Sequence, residues 1–502
     1  MDAQRGIARR MMIGLPPDGL SPAWERDFAA YPPAGVIVFQ RDFKDLDDLR
    51  RVTRKLRDLA RPRRLFLAID EEGGHVSQLA GHLVVPPNAL TLARGAEPAD
   101  LEWIARVTGM RLMALGLDWV LAPVADIHSE ARNPVIGPRA YGSEPGVVAD
   151  HVAHVLRGFG AAGVATCLKH FPGHGDTTTD SHLTLPVNAH PRELLERREL
   201  EPFRANLDAD AVMTAHVVYP ALDPGRPATF SRAITHDLLR RSLGFTGVTI
   251  TDALEMKGAA AGRSPAEGGQ LALEAGCDLV LFAFHDDSIR RARLELARAL
   301  TGGALDRTNF DAARPRLAAL DANHPEPTPE ALETPLDALT PAGWSERLER
   351  IIERALVLRG TLPAAAANGA WSVVNAGPEG LPPLAAELEA RGIRTAASAG
   401  DSSVPLAPEL AAAGVPLTDD PGRATGQVAV VATRLPLEPG RLDRLRSLCR
   451  ERPTIAVGLQ NDAFLEDLGE AALTLSAADQ TPLSRKVVAR VLAEMRKRAL
   501  PT

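Results

Sequence analysis

Along the first two-thirds of the chain, short unbroken apolar runs alternate with longer stretches in which apolar residues recur every three or four positions. The runs are Met11 to Gly14, Val36 to Phe39, Leu65 to Asp70, Trp119 to Ala122, Val164 to Lys169, Ala211 to Ala215, Val248 to Asp252 and Asp278 to Phe282. Several lack the in–out alternation of a half-exposed sheet, as expected of parallel strands covered on both faces. Stretches between them, such as Glu193 to Leu207, read as crossover helices. Eight strand–helix units in about 300 residues predict an α/β fold of (β/α)8 TIM-barrel type, with a doubly wound sheet as the alternative.

Around Ala304 to Leu320 the periodic spacing ends, and Asn323 to Thr340 contains Pro325, Pro327, Pro329 and Pro335, the composition of a linker. Trp344 to Leu358 returns to helical spacing. Strand-like runs then resume at Trp371 to Asn375, Arg394 to Ala397, Gln427 to Thr433, Thr454 to Leu459 and Ala472 to Leu475. They predict a smaller open α/β sandwich. The expected organisation is a catalytic barrel over 1–322, a linker with a helix over 323–365 and the sandwich over 366–502. No G-x-G-x-x-G or P-loop follows the sandwich's first strand, so nothing points to a nucleotide there.

Composition narrows the class of partner. With 502 residues the chain exceeds one ordinary core. Its net charge of -7 and pI near 6.0, with no basic stripe, argue against nucleic acid or an anionic membrane as partner. Cys167, Cys277 and Cys449 are odd in number and scattered, which suits a reducing compartment. Arg5, Arg9 and Arg10 precede a segment too short and too rich in Pro and Gly for a signal-peptide core, and no apolar run is long enough to span a bilayer. The expectation is a soluble cytoplasmic protein, its oligomeric state left open.

Candidate chemistry concentrates on one segment, KHFPGHGDTTTDSH from Lys169 to His182. Pro172, Gly173 and Gly175 break any helix, so its histidines and aspartates sit on an irregular loop leaving a buried strand. Gly173, Gly175 and Thr177 to Thr179 read as a loop held by little, one able to move. His174 and Asp176 read as residues that shape it. Asp70, Asp126, Lys169 with His170, His216 and Asp252 all fall at or just past the ends of strands three to seven. In a barrel such ends share one rim and converge on one site. Asp180 and His182 are spaced so that the carboxylate can orient the imidazole, and with a fixed Asp252 they make a proton-transfer group and a nucleophile. Asp70, Arg139, Lys169 and His170 offer charged hydrogen-bonding groups suited to a polyhydroxylated ligand.

The segments LAIDEEGG, APVADI followed by NPVIGPRAYG, KHFPGHGDTTTDSH and TDALEM resemble, in order, the motifs of family 3 glycoside hydrolases, in the β-N-acetylglucosaminidase branch. The likeness spans roughly residues 10–320 and implies the same barrel, in some members followed by an α/β sandwich. It implies that Asp252 is the nucleophile, that His182 paired with Asp180 is the general acid/base, and that Asp70, Arg139, Lys169 and His170 bind the terminal sugar. The implied reaction is retaining hydrolysis through a covalent glycosyl-aspartate, needing no cofactor or metal, on a small carbohydrate or glycoconjugate. Recycling of cell-wall fragments is the implied role. His75 and Gln78 stand where the branch has Arg-Val-x-Arg, and Pro138 precedes Arg139 where an acidic or small residue is usual.

Three other readings fit parts of the sequence. A β-glucosidase would share the fold, and a glycoside phosphorylase would use the absence of a carboxylate acid to admit phosphate. A metal-dependent hydrolase could draw on His170, His174, Asp180 and His182, but Pro and Gly keep the first two off one helix face. Asp252 could also simply cap the following helix.

Overall fold

The computed structural model describes residues 2–131, 133–177, 185–284, 286–362, 372–375, 429–433, 443, 446–447, 449–450, 454–459, 465, 468–469 and 471–499. The chain divides into two compact units. One comprises Met1–Glu72, Pro98–Ile136 and Ala140–Thr340, the other Gly73–Glu97, Gly137–Arg139 and Pro341–Thr502.

All eight predicted barrel strands are present: β1 (Met11–Ile13), β2 (Gly35–Val38), β3 (Phe66–Ile69), β4 (Trp119–Val120), β5 (Cys167–Phe171), β6 (Ala211–Thr214), β7 (Val248–Ala253) and β8 (Leu279–Phe282). They pair in parallel in the order β4-β3-β2-β1-β8-β7-β6-β5. A bridge from Trp119 to Ala165 and another from Val124 to Lys169 join the two ends and close the barrel. β2 (GVIV) and β3 (FLAI) are buried at every residue, which is why these runs show no alternation. Met12, Ile37, Phe66, Trp119, Met213 and Ile250 belong to the core cluster these strands share.

The helices follow from capping and one-sided burial. Leu46–Ala60 starts where Asp45 accepts the Asp48 amide at 2.7 Å, and it buries Leu46, Leu49, Thr53 and Leu56 along one face. Its Arg57 and the nearby Arg64 each donate to buried Asp118 at 2.8 Å, and Asp118 in turn accepts the Leu67 amide. One expectation fails near the end of the barrel unit. The periodicity does not stop by Leu320: helices run over Arg307–Ala312 and Arg314–Asn323, and Leu317 and Leu320 pack against the barrel core. The proline-rich stretch is bonded to that unit, where Arg111 donates to the Leu339 carbonyl at 2.5 Å, Arg61 pairs with Glu326 at 2.5 Å and Arg50 bonds the Thr334 carbonyl.

The second unit is built on a sheet of β9 (Val357–Gly360), β10 (Ser372–Asn375), β11 (Ala429–Thr433), β12 (Thr454–Gly458) and β13 (Leu473–Ser476), in the order β9-β13-β12-β11-β10. All pairs are parallel except β9 with β13. The helical reading to Leu358 is thus two elements, a helix over Trp344–Ala355 and the edge strand β9. The run Arg394 to Ala397 lies outside the described residues. Ile455, Val457, Leu473 and Leu475 pack against Val488, Ala489 and Leu492 of the helix Pro482–Ala499.

Residues 73–97, which leave the barrel chain just after β3, are tied into this second unit by polar bonds. Asn88 donates its amide to Asp479 at 3.0 Å and its side chain to the Ala478 carbonyl at 3.1 Å, while Thr91 bonds the Ala477 carbonyl at 2.8 Å. Burial pushes the Asp479 carboxyl up, although Ser484, Thr481 and Asn88 all donate to it. Among the described residues no helix is long and apolar enough to cross a membrane.

Candidate active site on the barrel rim

Two of the barrel strands break register where their polar residues stand. On β5, Leu168 faces Val212 but Phe171 faces Thr214, so Lys169 and His170 occupy a bulge. On β7, Ile250 faces Leu279 and Ala253 faces Leu281, which places Thr251 and Asp252 in a second one. An extra residue in one strand bends it and re-aims its side chains, so neither set points as the pleat alone would dictate.

Lys169 is the centre of one buried charge group. Its ammonium meets Asp70 at 2.8 Å and Glu72 at 2.5 Å, with the Lys169 and Glu72 side chains 3% and 6% exposed and that of Asp70 22%. Asp70 and Glu72 are two residues apart, hence on the same side of an extended chain. The unequal exposure matters, since only Asp70 keeps substantial access to solvent.

His170 is fixed by a different carboxylate. Asp126 is completely buried and accepts from His170 Nδ1 at 2.7 Å, the His170 amide at 3.2 Å and the His174 amide at 2.6 Å. Burial alone would push the Asp126 carboxyl up, but the charge and hydrogen bond of His170, together with His174, hold it below the ordinary carboxylate value. An ionised Asp126 makes Nδ1 the donor, leaving Nε2 as the nitrogen on the far side of the ring.

Asp252 lies on β7, half-buried, and its Oδ1 accepts the Ala253 amide at 2.7 Å. It shares the field of the group on β5. Burial pushes the Cys167 thiol far up, with Lys169 opposing and the charges of Asp70 and Asp252 adding to the rise. One turn on, Glu255 accepts the Ala283 and Phe284 amides at 3.2 Å, tying β7 to the end of β8, and burial pushes its carboxyl up to about 7.

The segment after β5 is held firmly up to residue 177. Gly173 takes a φ of +129°, and a Cβ on Gly175 would lie 1.6 Å from the Ile127 carbonyl oxygen, so both positions require glycine. The Tyr219 hydroxyl bonds the Gly173 carbonyl, and burial, with Asp126 and Glu199 nearby, keeps that phenol protonated. Asn133 donates to the His174 carbonyl at 2.9 Å, the Gly175 carbonyl at 3.1 Å and Thr177 Oγ1 at 3.2 Å. Asp176 is gripped by His190 at 2.7 Å and by Arg198.

A set of convergent carboxylates, an ammonium and an imidazole at the strand ends of a closed parallel barrel is the setting for chemistry on a polar organic ligand. The model of the glycosyl hydrolase family 3 N-terminal domain matches residues 24–320 of this chain, more than half of its length. The chain belongs to glycosyl hydrolase family 3. This family 3 enzyme, a glycoside hydrolase, is 38% identical over 292 residues to a β-hexosaminidase of Alkalilimnicola ehrlichii, covering 56% of this chain and 82% of that protein. The structure of a family 3 β-N-acetylglucosaminidase from Paenibacillus sp. str. FPU-7 matches it with a TM-score of 0.84 at 27% identity, over 98% of this chain and 96% of that one. A β-N-acetylhexosaminidase structure from Beutenbergia cavernae matches at 31% identity and a TM-score of 0.58, over 64% of this chain and 98% of that one.

Of the residues expected in the family 3 site, Asp70, Lys169, His170 and Asp252 stand at the barrel's strand ends as described. Arg139 ends a 3-10 turn, Gly137–Arg139, half-buried, in the second compact unit. Asp180 and His182 lie outside the described residues. His75, where the branch has arginine, bonds Asn88 Oδ1 through Nδ1 at 2.8 Å.

One expectation is corrected here. Thr177 is buried and bonded to His174, so the segment from Gly173 to Thr177 is not an unpacked loop. Arg198 clamps Asp176 and Glu199. Sequence reasoning missed Glu72 and Asn133. The first was open to it, since Asp70 and Glu72 share a side at strand spacing; the second had no signal, being one asparagine among loop residues. Among the described residues no grouping of His, Cys, Asp and Glu is arranged to hold a metal ion.

Proposed function

We propose that this enzyme is a retaining β-N-acetylglucosaminidase that removes a terminal N-acetylglucosamine from a carbohydrate or glycoconjugate. Asp252 attacks the anomeric carbon as the bond to the leaving oxygen breaks, and His182 gives that oxygen its proton. A water then gives its proton back to His182 and attacks the same carbon, breaking the ester to Asp252 and releasing the sugar with its configuration retained. Asp180 orients His182 and stabilises its cationic form. The roles of these two rest on the KHFPGHGDTTTDSH resemblance.

The observation that supports this reading best is the pairing of a re-aimed Asp252 on β7 with the Lys169–Asp70 and His170–Asp126 groups at neighbouring strand ends. The Asp252 carboxylate accepts the Ala253 amide at 2.7 Å, while the other groups form fixed donors and acceptors suited to sugar hydroxyls. In this assignment Asp70, Lys169, His170 and Arg139 bind the terminal sugar. The names of the relatives support the N-acetyl sugar, and recycling of cell-wall fragments in the cytoplasm is the proposed role.

Turnover of aryl β-N-acetylglucosaminide against aryl β-glucoside, each with and without inorganic phosphate, tests the proposal. Faster cleavage of the N-acetylglucosaminide to free sugar is expected. Preference for the glucoside, or accumulation of sugar 1-phosphate, would replace it with one of the alternatives.

A further inference from the structure

The bulge on β7 leaves ladder groups without their regular partners next to Asp252. Two side chains take over those bonds. Toward β8, Thr251 Oγ1 accepts the Leu281 amide at 2.9 Å. Toward β6 the ladder ends with Thr251 opposite Thr214, and beyond it the Ala253 carbonyl is met by His216 Nε2 at 3.0 Å. Ala253 is therefore held at both ends: its amide donates to the Asp252 carboxylate and its carbonyl is bound by His216.

The chemistry of the partners orders the rest of the relay. A carbonyl has only lone pairs to offer, so Nε2 carries a proton. Thr229 Oγ1 lies 2.8 Å from Nδ1, and Thr214 Oγ1 donates to Thr229 at 3.0 Å. The Ala215 carbonyl, 3.0 Å from the same Thr229 oxygen, competes for its single proton. Thr214 and Thr229 are completely buried and His216 is 1% exposed. A buried hydrogen-bonded chain thus runs from β6 to the residue after Asp252.

We propose that His216 is a positioning residue for the nucleophilic step, replacing a missing ladder bond so that the bulge presents the Asp252 carboxylate to the anomeric carbon. This rests on the reading of Asp252 as the nucleophile. His216 does its work through Ala253.

The test uses the full chain and the 5-fluoro glycosyl fluoride of N-acetylglucosamine, which accumulates a slowly hydrolysed glycosyl-enzyme. Intact mass gives the labelling rate per active site at saturation and the half-saturating concentration, and peptide mapping of the wild type gives the labelled residue. Since a misplacement of about 1 Å can cost ~100-fold, His216→Leu is expected to slow labelling by about 30- to 100-fold with half-saturation unchanged. His216→Gln keeps an amide N–H for the Ala253 carbonyl and should restore the rate to within about threefold. A wild-type rate in His216→Leu, a loss confined to half-saturation, or glutamine as slow as leucine would each overturn the proposal. If His216→Leu does not fold, Thr229→Val decides: it keeps the imidazole but not its orienting hydroxyl, so slower labelling supports the relay and a wild-type rate overturns it. A label on a residue other than Asp252 sinks the underlying assignment, whereas a label on Asp252 at an undiminished rate in His216→Leu sinks only this inference.

Discussion

Replacing Lys169 with Met removes an ammonium paired with both Asp70 and Glu72 while keeping most of the side chain's volume. Glu72 is nearly inaccessible, so its carboxylate cannot recover in water what it loses from the ammonium 2.5 Å away. Removing one member of a buried pair typically costs ~3–5 kcal/mol, against ~0–1 kcal/mol for an exposed pair. The exposure of Glu72 places this site near the buried limit. Two carboxylates left facing each other also repel, and one of them then takes a proton more readily. Urea unfolding of the barrel transition at pH 7 should therefore show Lys169→Met destabilised by about 3–5 kcal/mol. The double variant Lys169→Met, Glu72→Gln should regain about 2 kcal/mol, because the buried group that lost the ammonium is then neutral. Hydrolysis stays low in both, since Asp70 has lost the partner that fixes it. A cost below about 1 kcal/mol, or no recovery in the double variant, would mean that the group behaves as if solvated and would refute the argument.

Asn133→Ala strips three donor bonds from the segment His174 to Thr177, and also the Oδ1 that accepts the Val135 and Ile136 amides at 2.9 and 2.7 Å. At about 1–3 kcal/mol for a stranded buried polar group, faster hydrogen exchange over residues 173–177 and a fall in kcat larger than any rise in KM are expected. Unchanged exchange would show that the other contacts suffice. At the opposite, N-terminal end of the strands, His324 Nε2 pairs with Asp210 at 2.6 Å. Burial lowers its pKa, but the Asp210 hydrogen bond and charge outweigh that and raise it overall. A raised folded value means that the stabilisation is complete below an unfolded pKa of about 6.5 and is lost as pH rises through the folded one. His324→Gln should flatten stability against pH above that point, measured by urea midpoints; an unchanged slope would count against the pair.

The barrel strands were legible because a parallel strand covered on both faces must be apolar throughout, and GVIV, FLAI and LVLF say so directly. The rim residues were legible for the same reason: polar groups such as Asp70 and Asp252 stand where an apolar run stops. The bulges were not, because register depends on which neighbour a strand meets, and nothing within TDALEM or CLKHF encodes the partner. Asn88 shows the same limit. It lies 391 positions from Asp479, and only the folded chain reveals that residues 73–97 pack with the second unit. The helix Arg314–Asn323 escaped notice since Pro315 and a sparse apolar face, Leu317 and Leu320, weaken its period.

The central claim is that Asp252 forms the covalent bond to the sugar. Peptide mapping by mass spectrometry, after trapping with the 5-fluoro glycosyl fluoride, reads it directly. The account predicts one added glycosyl mass per chain, located on Asp252 within VTITDALEM. A glycosyl group on Asp70, Glu72 or Glu255, or inversion of the anomeric centre with no adduct at all, would contradict it.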